Sequence, residues 1–163
     1  ATLDIDGPVY IRLGGRMEEP PVTAPEAPFR LGQASQLRAG NDVTVIACGC
    51  MVDMAVRASQ TLESAGIGVR VLNMHTIKPL DQQAILTAAT ETRGIVTAEE
   101  HHLTGGLGGA VAELLAVHHP TRMRLVGMPD TFAVVGPTGP LRTKYGMSVE
   151  AIVAACRSLL DAA

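Results

Sequence analysis

Short apolar runs alternate with amphipathic stretches along most of this chain. Four runs rich in Val and Ile predict buried strands, at residues 42–47, 67–73, 94–98 and 122–126. Stretches with helical spacing between or after them predict helices over residues 51–64, 82–90 and 108–117. Strands that alternate with helices in this way indicate right-handed crossovers and a mainly parallel sheet.

Capping residues support the ends of several predicted helices. Gly66 is a stop signal for the first helix, and Asp81 is an N-cap for the second. A short helix is predicted to end near Gly146, after the turn-rich residues 136–140. Ser148 then caps the last helix, with Glu150 in its first turn.

The first thirty residues follow a different pattern. Residues 8–13 resemble a short strand that ends at Gly14 and Gly15, whereas residues 18–28 contain four prolines and predict an extended linker. Residues 29–31 then predict an edge strand of either direction. We therefore expect a three-layer α/β/α domain with a mainly parallel five-stranded sheet after the linker, and the sheet is mixed if the edge strand runs antiparallel.

Composition narrows the class of protein. The 163 residues suffice for one complete core, and aromatic residues make up only 2%, so Val, Ile, Leu, Ala and Met must fill it. A net charge of −3 with scattered Lys and Arg gives no footprint for nucleic acid. The apolar runs are too short to cross a membrane. Three cysteines, an odd number, argue against a disulfide framework and favour a reducing, cytoplasmic setting.

A glycine-rich turn follows the third predicted strand, at residues 105–109. A dinucleotide-binding turn needs a small residue where this chain has Val111, and it belongs to the first strand–helix unit. We therefore expect the glycines to let a helix lie close to the sheet rather than to bind phosphate. Phosphate binding remains the alternative, and it would make the chain an autonomous module for an anionic ligand.

Acidic and histidine residues cluster at the end of the same strand, at residues 99–102. Consecutive strand residues point in alternating directions, so at most two of the four could converge on a metal ion. We expect capping and interface contacts here and predict no metal ligand. Cys48 and Cys50 lack the spacing of redox or zinc motifs and are expected to behave as small buried hydrophobes. No serine lies in a nucleophile-elbow motif, so we predict no catalytic residue of that type.

Arg12 lies among apolar residues just before Gly14. Its guanidinium could bind a phosphate or carboxylate bidentately, or it could form a surface ion pair. The spacing alone favours neither alternative.

The chain resembles the carboxyl-terminal part of a transketolase, in particular the split kind made as two subunits. The matching segments occur in the family's order, at residues 9–14, 71–81, 97–101, 105–108 and 144–146. The amino-acid sequence of residues 73–81 favours transketolase over its relatives. Those relatives, the 2-oxoacid dehydrogenase beta subunits and deoxyxylulose-phosphate synthase, remain the alternative identification.

This resemblance implies a thiamine diphosphate and Mg²⁺ enzyme that transfers a two-carbon ketol unit between sugar phosphates. Residues 1–17 would be the tail of the pyrimidine-binding domain, residues 18–28 the linker, and residues 29–163 the carboxyl-terminal domain. The family's acidic metal motif and activating glutamate have no counterpart here. The resemblance thus implies no catalytic, cofactor-binding or metal-binding residue in this chain, which would bind no cofactor alone.

The resemblance also implies partners and one substrate contact. An N-terminal subunit, or the missing domains, would complete the enzyme, and the assembly would be a homodimer with this chain as a scaffold. The family places an arginine that contacts the substrate phosphate at the position of Arg12. His101 also matches a family motif, but the resemblance gives this residue no catalytic role, and we expect it to lie at an interface.

One loop departs from the family pattern. At residues 130–136, Ala133, Val134 and Val135 replace a more polar run. A third hypothesis is an interaction protein that buries a partner subunit.

Overall fold

A five-stranded mixed sheet forms the centre of the computed structural model, which describes residues 1–14 and 20–161. Within those ranges the strands are β1 (Ser35–Arg38), β2 (Val43–Ala47), β3 (Val69–Asn73), β4 (Ile95–His102) and β5 (Met123–Met128). They lie in the order β1-β3-β2-β4-β5. β1 pairs with β3 in antiparallel fashion, and the other three pairings are parallel. The predicted fold class is confirmed.

Helices cover both faces of this sheet. They are α1 (Met51–Glu63), α2 (Gln82–Glu91), α3 (Leu107–His118), α4 (Thr138–Lys144) and α5 (Val149–Asp161). α1 and α5 pack on one face, in a cluster with Val45, Val71 and Val96, whereas α2 and α3 pack on the other, in a cluster with Ile46 and Ile95. Alternate residues of the central strands enter different clusters, because successive side chains of a strand point to opposite faces.

Local signals in the sequence place several helix ends correctly. The Asp81 carboxylate accepts a hydrogen bond from the Ala84 amide at 3.0 Å and caps α2. Its second oxygen accepts one from the Ala34 amide at 2.7 Å, so the cap also holds the chain that leads into β1. Ser148 Oγ accepts from the Ala151 amide at 3.2 Å at the start of α5. Gly66 follows α1 with φ +77°, a left-handed conformation that glycine adopts without strain.

Two strand predictions in the first third of the chain are wrong. Residues 8–13 form no strand, because no described strand lies beside them to complete the hydrogen bonding, and their apolar side chains are exposed. Residues 29–31 also lie outside the sheet, because pairing with β3 begins only at Ser35, and the Phe29 ring lies against His75 with the ring centroids 4.3 Å apart. The edge strand begins four residues later, at Ser35, after a turn with Gly32 at φ +75°.

Residues 20–28 contain no helix or strand, as predicted for a proline-rich linker. Its predicted first residues, together with Gly15 and the boundary at Met17, lie outside the described residues. No helix in the described ranges combines the length and apolar character needed to cross a bilayer.

Strand β4 extends further than predicted, from Ile95 to His102 instead of ending at Ala98. Its pairing with β5 is regular up to Ala98 and resumes at His102 after a shift in register. The acidic and histidine residues that the sequence placed after the strand are therefore its last four residues. This extension determines which side of the sheet each of them faces.

Candidate functional site

Two adjacent glutamates near the end of β4 face opposite sides of the sheet. Glu99 points towards α3, whereas Glu100 points towards α4 and the amino-terminal segment. The carboxyl ends of parallel strands are where open α/β sheets place their ligand-binding groups. This edge, with the side chains around the two glutamates, is the candidate site.

Glu99 caps helix α3 from the interior of the protein. Its side chain is almost completely buried, with a relative exposure of 2%. One carboxylate oxygen accepts a hydrogen bond from the Leu107 amide and the other from the Gly108 amide, each at 2.7 Å. A carboxylate at this position satisfies two amides of the first turn and complements the positive end of the helix dipole. Glu99 thus occupies the place that a bound phosphate would take.

The glycines of this turn allow that close packing. A Cβ on Gly106 would overlap the Glu99 carboxylate, and one on Gly108 would come within 2.7 Å of Leu125 and 2.8 Å of Thr97. Both positions therefore require the smallest residue. The expectation that the turn serves packing is confirmed, and its capped amides argue against the alternative of an anion-binding module.

Glu100 is the centre of an ion-pair cluster on the other face. Arg142 Nε, from α4, donates a hydrogen bond to Glu100 Oε1 at 2.7 Å. Arg12 Nη2 donates to Glu100 Oε2 at 3.4 Å, and Arg12 Nη1 donates to the Glu100 main-chain oxygen at 3.2 Å. The Cys50 thiol also donates to this carboxylate. The cluster thereby joins α4, the start of α1 and the amino-terminal segment to the end of β4.

The charge of Glu100 is stabilised by these partners. Burial by itself would raise the pKa of the Glu100 carboxyl, but the hydrogen bond and charge of Arg142 lower it. The hydrogen bond from Cys50 and the charge of Arg12 act in the same direction, and the net result is a pKa below the ordinary value of 4.5. Glu100 is therefore ionised at neutral pH and holds both guanidinium groups.

Arg12 reaches this edge of the sheet although residues 8–14 form no regular structure. Its side chain remains 63% exposed beside Glu100. Two of its five donors are used in the contacts with Glu100, and the exposed part of the guanidinium faces solvent. The structure thus places Arg12 in a surface ion pair, and this arrangement leaves the guanidinium accessible to an anion.

The two histidines that follow have no ligand geometry. His101 Nδ1 is 2.8 Å from the His102 main-chain oxygen and 3.9 Å from Glu99 Oε2. In the part of the chain that the structure describes, no three side chains of His, Cys, Asp or Glu form a group that could hold a metal ion. His102 instead lines an open groove together with Met128 and the exposed Phe132.

Cys48 and Cys156 are not poised as nucleophiles. Burial, with a further contribution from the negative charge of Glu99, raises the pKa of Cys48 to about 11, although Arg12 opposes the shift. Burial also raises the pKa of Cys156, in α5, to about 12. Because the thiolate is the reactive form, these thiols remain protonated and unreactive at neutral pH. Cys48 and Cys50 are half-buried rather than fully buried.

Sequence reasoning missed Arg142 and the role of Glu100. Arg142 lies 42 residues after Glu100 in the chain, on a short helix that carries no motif. Only the fold brings the two together. A signal did exist for Glu99, since an acidic residue eight positions before a glycine-rich helix start is compatible with a capping role.

Comparisons with known proteins agree with this architecture. A family model described as "Transketolase, C-terminal domain" matches residues 32–152. The chain is 44% identical over 158 residues to the 6-deoxy-6-sulfo-D-fructose transketolase subunit SqwH of Clostridium sp. (strain MSTE9), covering 96% of this chain and 48% of that protein. It is 38% identical to the 1-deoxy-D-xylulose-5-phosphate synthase of Heliobacterium modesticaldum (strain ATCC 51547 / Ice1), covering 98% of this chain and 25% of that protein.

A solved structure described as "Split gene transketolase, inactive beta4 tetramer" is similar over nearly the whole chain. The TM-score is 0.90 at 42% identity, covering 96% of this chain and 51% of the other. The chain thus spans about half the length of the split-transketolase relatives that it matches, and a quarter of the synthase. The family model covers most of the chain, and the relatives agree with it: this chain belongs to the transketolase carboxyl-terminal domain family.

Proposed function

We propose that this chain is the carboxyl-terminal component of a transketolase-like enzyme that transfers a two-carbon ketol unit between sugar phosphates. The observation that carries the proposal is the match of 96% of the chain to half of a split transketolase chain, with a TM-score of 0.90. In this proposal residues 1–17 are the tail of a pyrimidine-binding domain, residues 18–28 are a linker, and residues 29–163 are the carboxyl-terminal domain. The assembly acts in the cytoplasm.

Thiamine diphosphate and its Mg²⁺ ion belong, in this proposal, to the rest of the assembly. The described residues do not fit these groups, because none of their acidic, His or Cys side chains form a metal-holding cluster. The helix start most suited to a diphosphate, at α3, has two of its amides occupied by Glu99. The chain therefore contributes a scaffold and contacts rather than the ionisation of the cofactor.

The partner in this proposal is an N-terminal transketolase subunit, within an assembly built as a homodimer. Apolar side chains on the surface of the chain support a partner. Tyr10 and Leu13 are largely exposed in the amino-terminal segment, and Phe132 and Val135 are fully exposed in the loop after β5. Large exposed apolar side chains grouped in this way are typical of surfaces that another chain covers.

Arg12 is the substrate contact of this proposal, through the phosphate group of the sugar. Its guanidinium is accessible, it lies at the carboxyl edge of the sheet, and its geometry suits a bidentate bond to phosphate. Arg12→Ala in the assembled enzyme should raise KM for an aldose phosphate at least about 10-fold, since a charged hydrogen bond contributes about 1.5–3 kcal/mol. KM for the same aldose without phosphate should change less. Equal changes for both acceptors would remove the phosphate contact.

Reconstitution tests the whole proposal. The chain is mixed with an N-terminal transketolase subunit, thiamine diphosphate and Mg²⁺, and ketol transfer to an aldose phosphate is measured. Activity should require both proteins, and neither alone should turn over a ketose. Ketose turnover by this chain alone with added cofactor would contradict the scaffold role.

The 38% identity to 1-deoxy-D-xylulose-5-phosphate synthase supports a second candidate, in which the chain belongs to a synthase of that kind. The reconstituted mixture distinguishes the two when it also receives a 2-oxo acid such as pyruvate, which supplies the two-carbon acetyl unit of a 1-deoxyketose with release of CO2. Formation of 1-deoxy-D-xylulose 5-phosphate without ketol transfer would favour the synthase.

A further inference from the structure

Arg12 depends on Glu100 for its position. Its side chain extends from a segment without helix or strand, so no regular backbone structure orients the guanidinium. Holding a long arginine side chain in one geometry costs conformational entropy. Among the described residues, the guanidinium donates its hydrogen bonds to Glu100, one to the carboxylate and one to the main-chain oxygen.

Contacts other than those with Arg12 hold Glu100 in place. It lies in β4, and its Oε1 accepts from Arg142 at 2.7 Å, a partner whose side chain is only 15% exposed. This contact leaves Oε2 for Arg12. A chain of contacts thus runs from α4 through Arg142 and Glu100 to Arg12, and each member restricts the next.

The charges of this cluster are compatible with an anion at Arg12. A glutamate beside a phosphate site would repel the phosphate if its own charge were not offset. Here Arg142 bonds to the same carboxylate, so the three side chains carry one net positive charge. Arg12 is the most exposed of the three side chains, at 63% against 30% for Glu100 and 15% for Arg142.

We propose that Glu100 is a positioning residue that holds the Arg12 guanidinium in the orientation needed to bind the phosphate of the sugar substrate. This inference rests on the proposed phosphate contact of Arg12. It differs from a purely structural role, in which the Arg12–Glu100 pair would merely attach the amino-terminal segment to the domain. A structural attachment would affect all substrates equally, whereas a positioning role affects phosphorylated substrates selectively.

The test uses the reconstituted two-component enzyme and the variants Glu100→Gln, Arg12→Ala and the double variant. KM and kcat are measured with an aldose phosphate and with the same aldose lacking phosphate. Glu100→Gln retains the side-chain shape and an oxygen for Arg142 but loses the charge that holds Arg12. We expect KM for the phosphorylated acceptor to rise about 3- to 10-fold, with kcat and the unphosphorylated acceptor unchanged. Glu100→Asp, which keeps the charge, should recover part of the loss.

The double variant separates positioning from other effects. If Glu100 acts through Arg12, then adding Glu100→Gln to Arg12→Ala should cause no further rise in KM. Glu113→Gln, which neutralises an exposed glutamate of α3, is the matched control and should leave both KM values unchanged.

Two results would overturn this inference. One is an equal effect of Glu100→Gln on both acceptors, and the other is an unchanged effect of Glu100→Gln in the Arg12→Ala background. If Arg12→Ala discriminates between the acceptors and Glu100→Gln does not, the phosphate contact stands and the positioning role fails. If Arg12→Ala itself does not discriminate, the phosphate contact and the positioning role both fail.

Discussion

Glu99 and Glu100 are neighbours in the chain, yet the surroundings of their carboxylates differ in kind. Glu99 is buried and accepts hydrogen bonds from two main-chain amides of α3, whereas Glu100 is partly exposed and bonds to side chains of distant segments. Main-chain donors inside the protein are fixed by the fold, whereas the exposed Arg12 guanidinium can exchange partners. The difference predicts that replacing Glu99 mainly affects stability, whereas in the proposed function replacing Glu100 mainly affects substrate binding.

Replacing Glu99 is expected to have the largest effect on the free energy of unfolding. Glu99→Ala removes the acceptor of two buried amides and leaves a cavity beside α3, so we expect the free energy of unfolding to fall by about 2–4 kcal/mol. Glu100→Ala, one residue away, should cost less than about 1 kcal/mol because its ion pairs are partly exposed. Urea denaturation of both variants measures the comparison. Similar losses of unfolding free energy in the two variants would contradict the difference between the two carboxylates.

The glycines of the turn give the next largest effect. Gly106→Ala would place a Cβ against the Glu99 carboxylate and disturb the cap, so we expect a loss of about 1–3 kcal/mol. Gly109→Ala is the matched control, because a Cβ at this position would meet no packed neighbour within 4 Å. That substitution should be neutral or stabilise by up to about 1 kcal/mol through helix propensity. Thermal unfolding of the two glycine variants tests whether the start of α3 must lie this close to the Glu99 carboxylate.

The smallest expected effect is the pH dependence of the contribution that Glu100 makes to stability. Its pKa is lower in the folded protein than the ordinary 4.5, so its contribution to stability is present above that value and is lost as pH falls through the folded pKa. The stability difference between the wild type and Glu100→Gln should therefore shrink as pH is lowered from 6 towards 3. Denaturant titrations at each pH measure it. A difference that grows on acidification would contradict the ion-pair assignment.

Features set by neighbouring residues were predictable from the sequence. Asp81 and Ser148 cap their helices, and Gly66 ends α1, because each acts within one turn of its own position. The alternating pattern of strands and helices also sufficed for the fold class. These features depend on local chemistry and on hydrophobic spacing, which a sequence displays directly.

Features set by distant contacts were not predictable. The edge strand begins at Ser35 rather than at Phe29 because its position depends on pairing with β3, more than thirty residues further on. The extension of β4 to His102 depends on β5 in the same way. Arg142 and Glu100 meet only after the sheet and α4 have formed. The sequence thus indicated the strand end that carries these residues but not the contacts that they make.

The central claim is that this chain supplies a scaffold and a positioned arginine while the cofactor site lies elsewhere in the assembly. Titration calorimetry of the purified chain with thiamine diphosphate and Mg²⁺ tests it most directly. We expect no binding heat from the chain alone, and binding to appear when the N-terminal subunit is added. Micromolar binding of thiamine diphosphate by the chain alone would contradict the account.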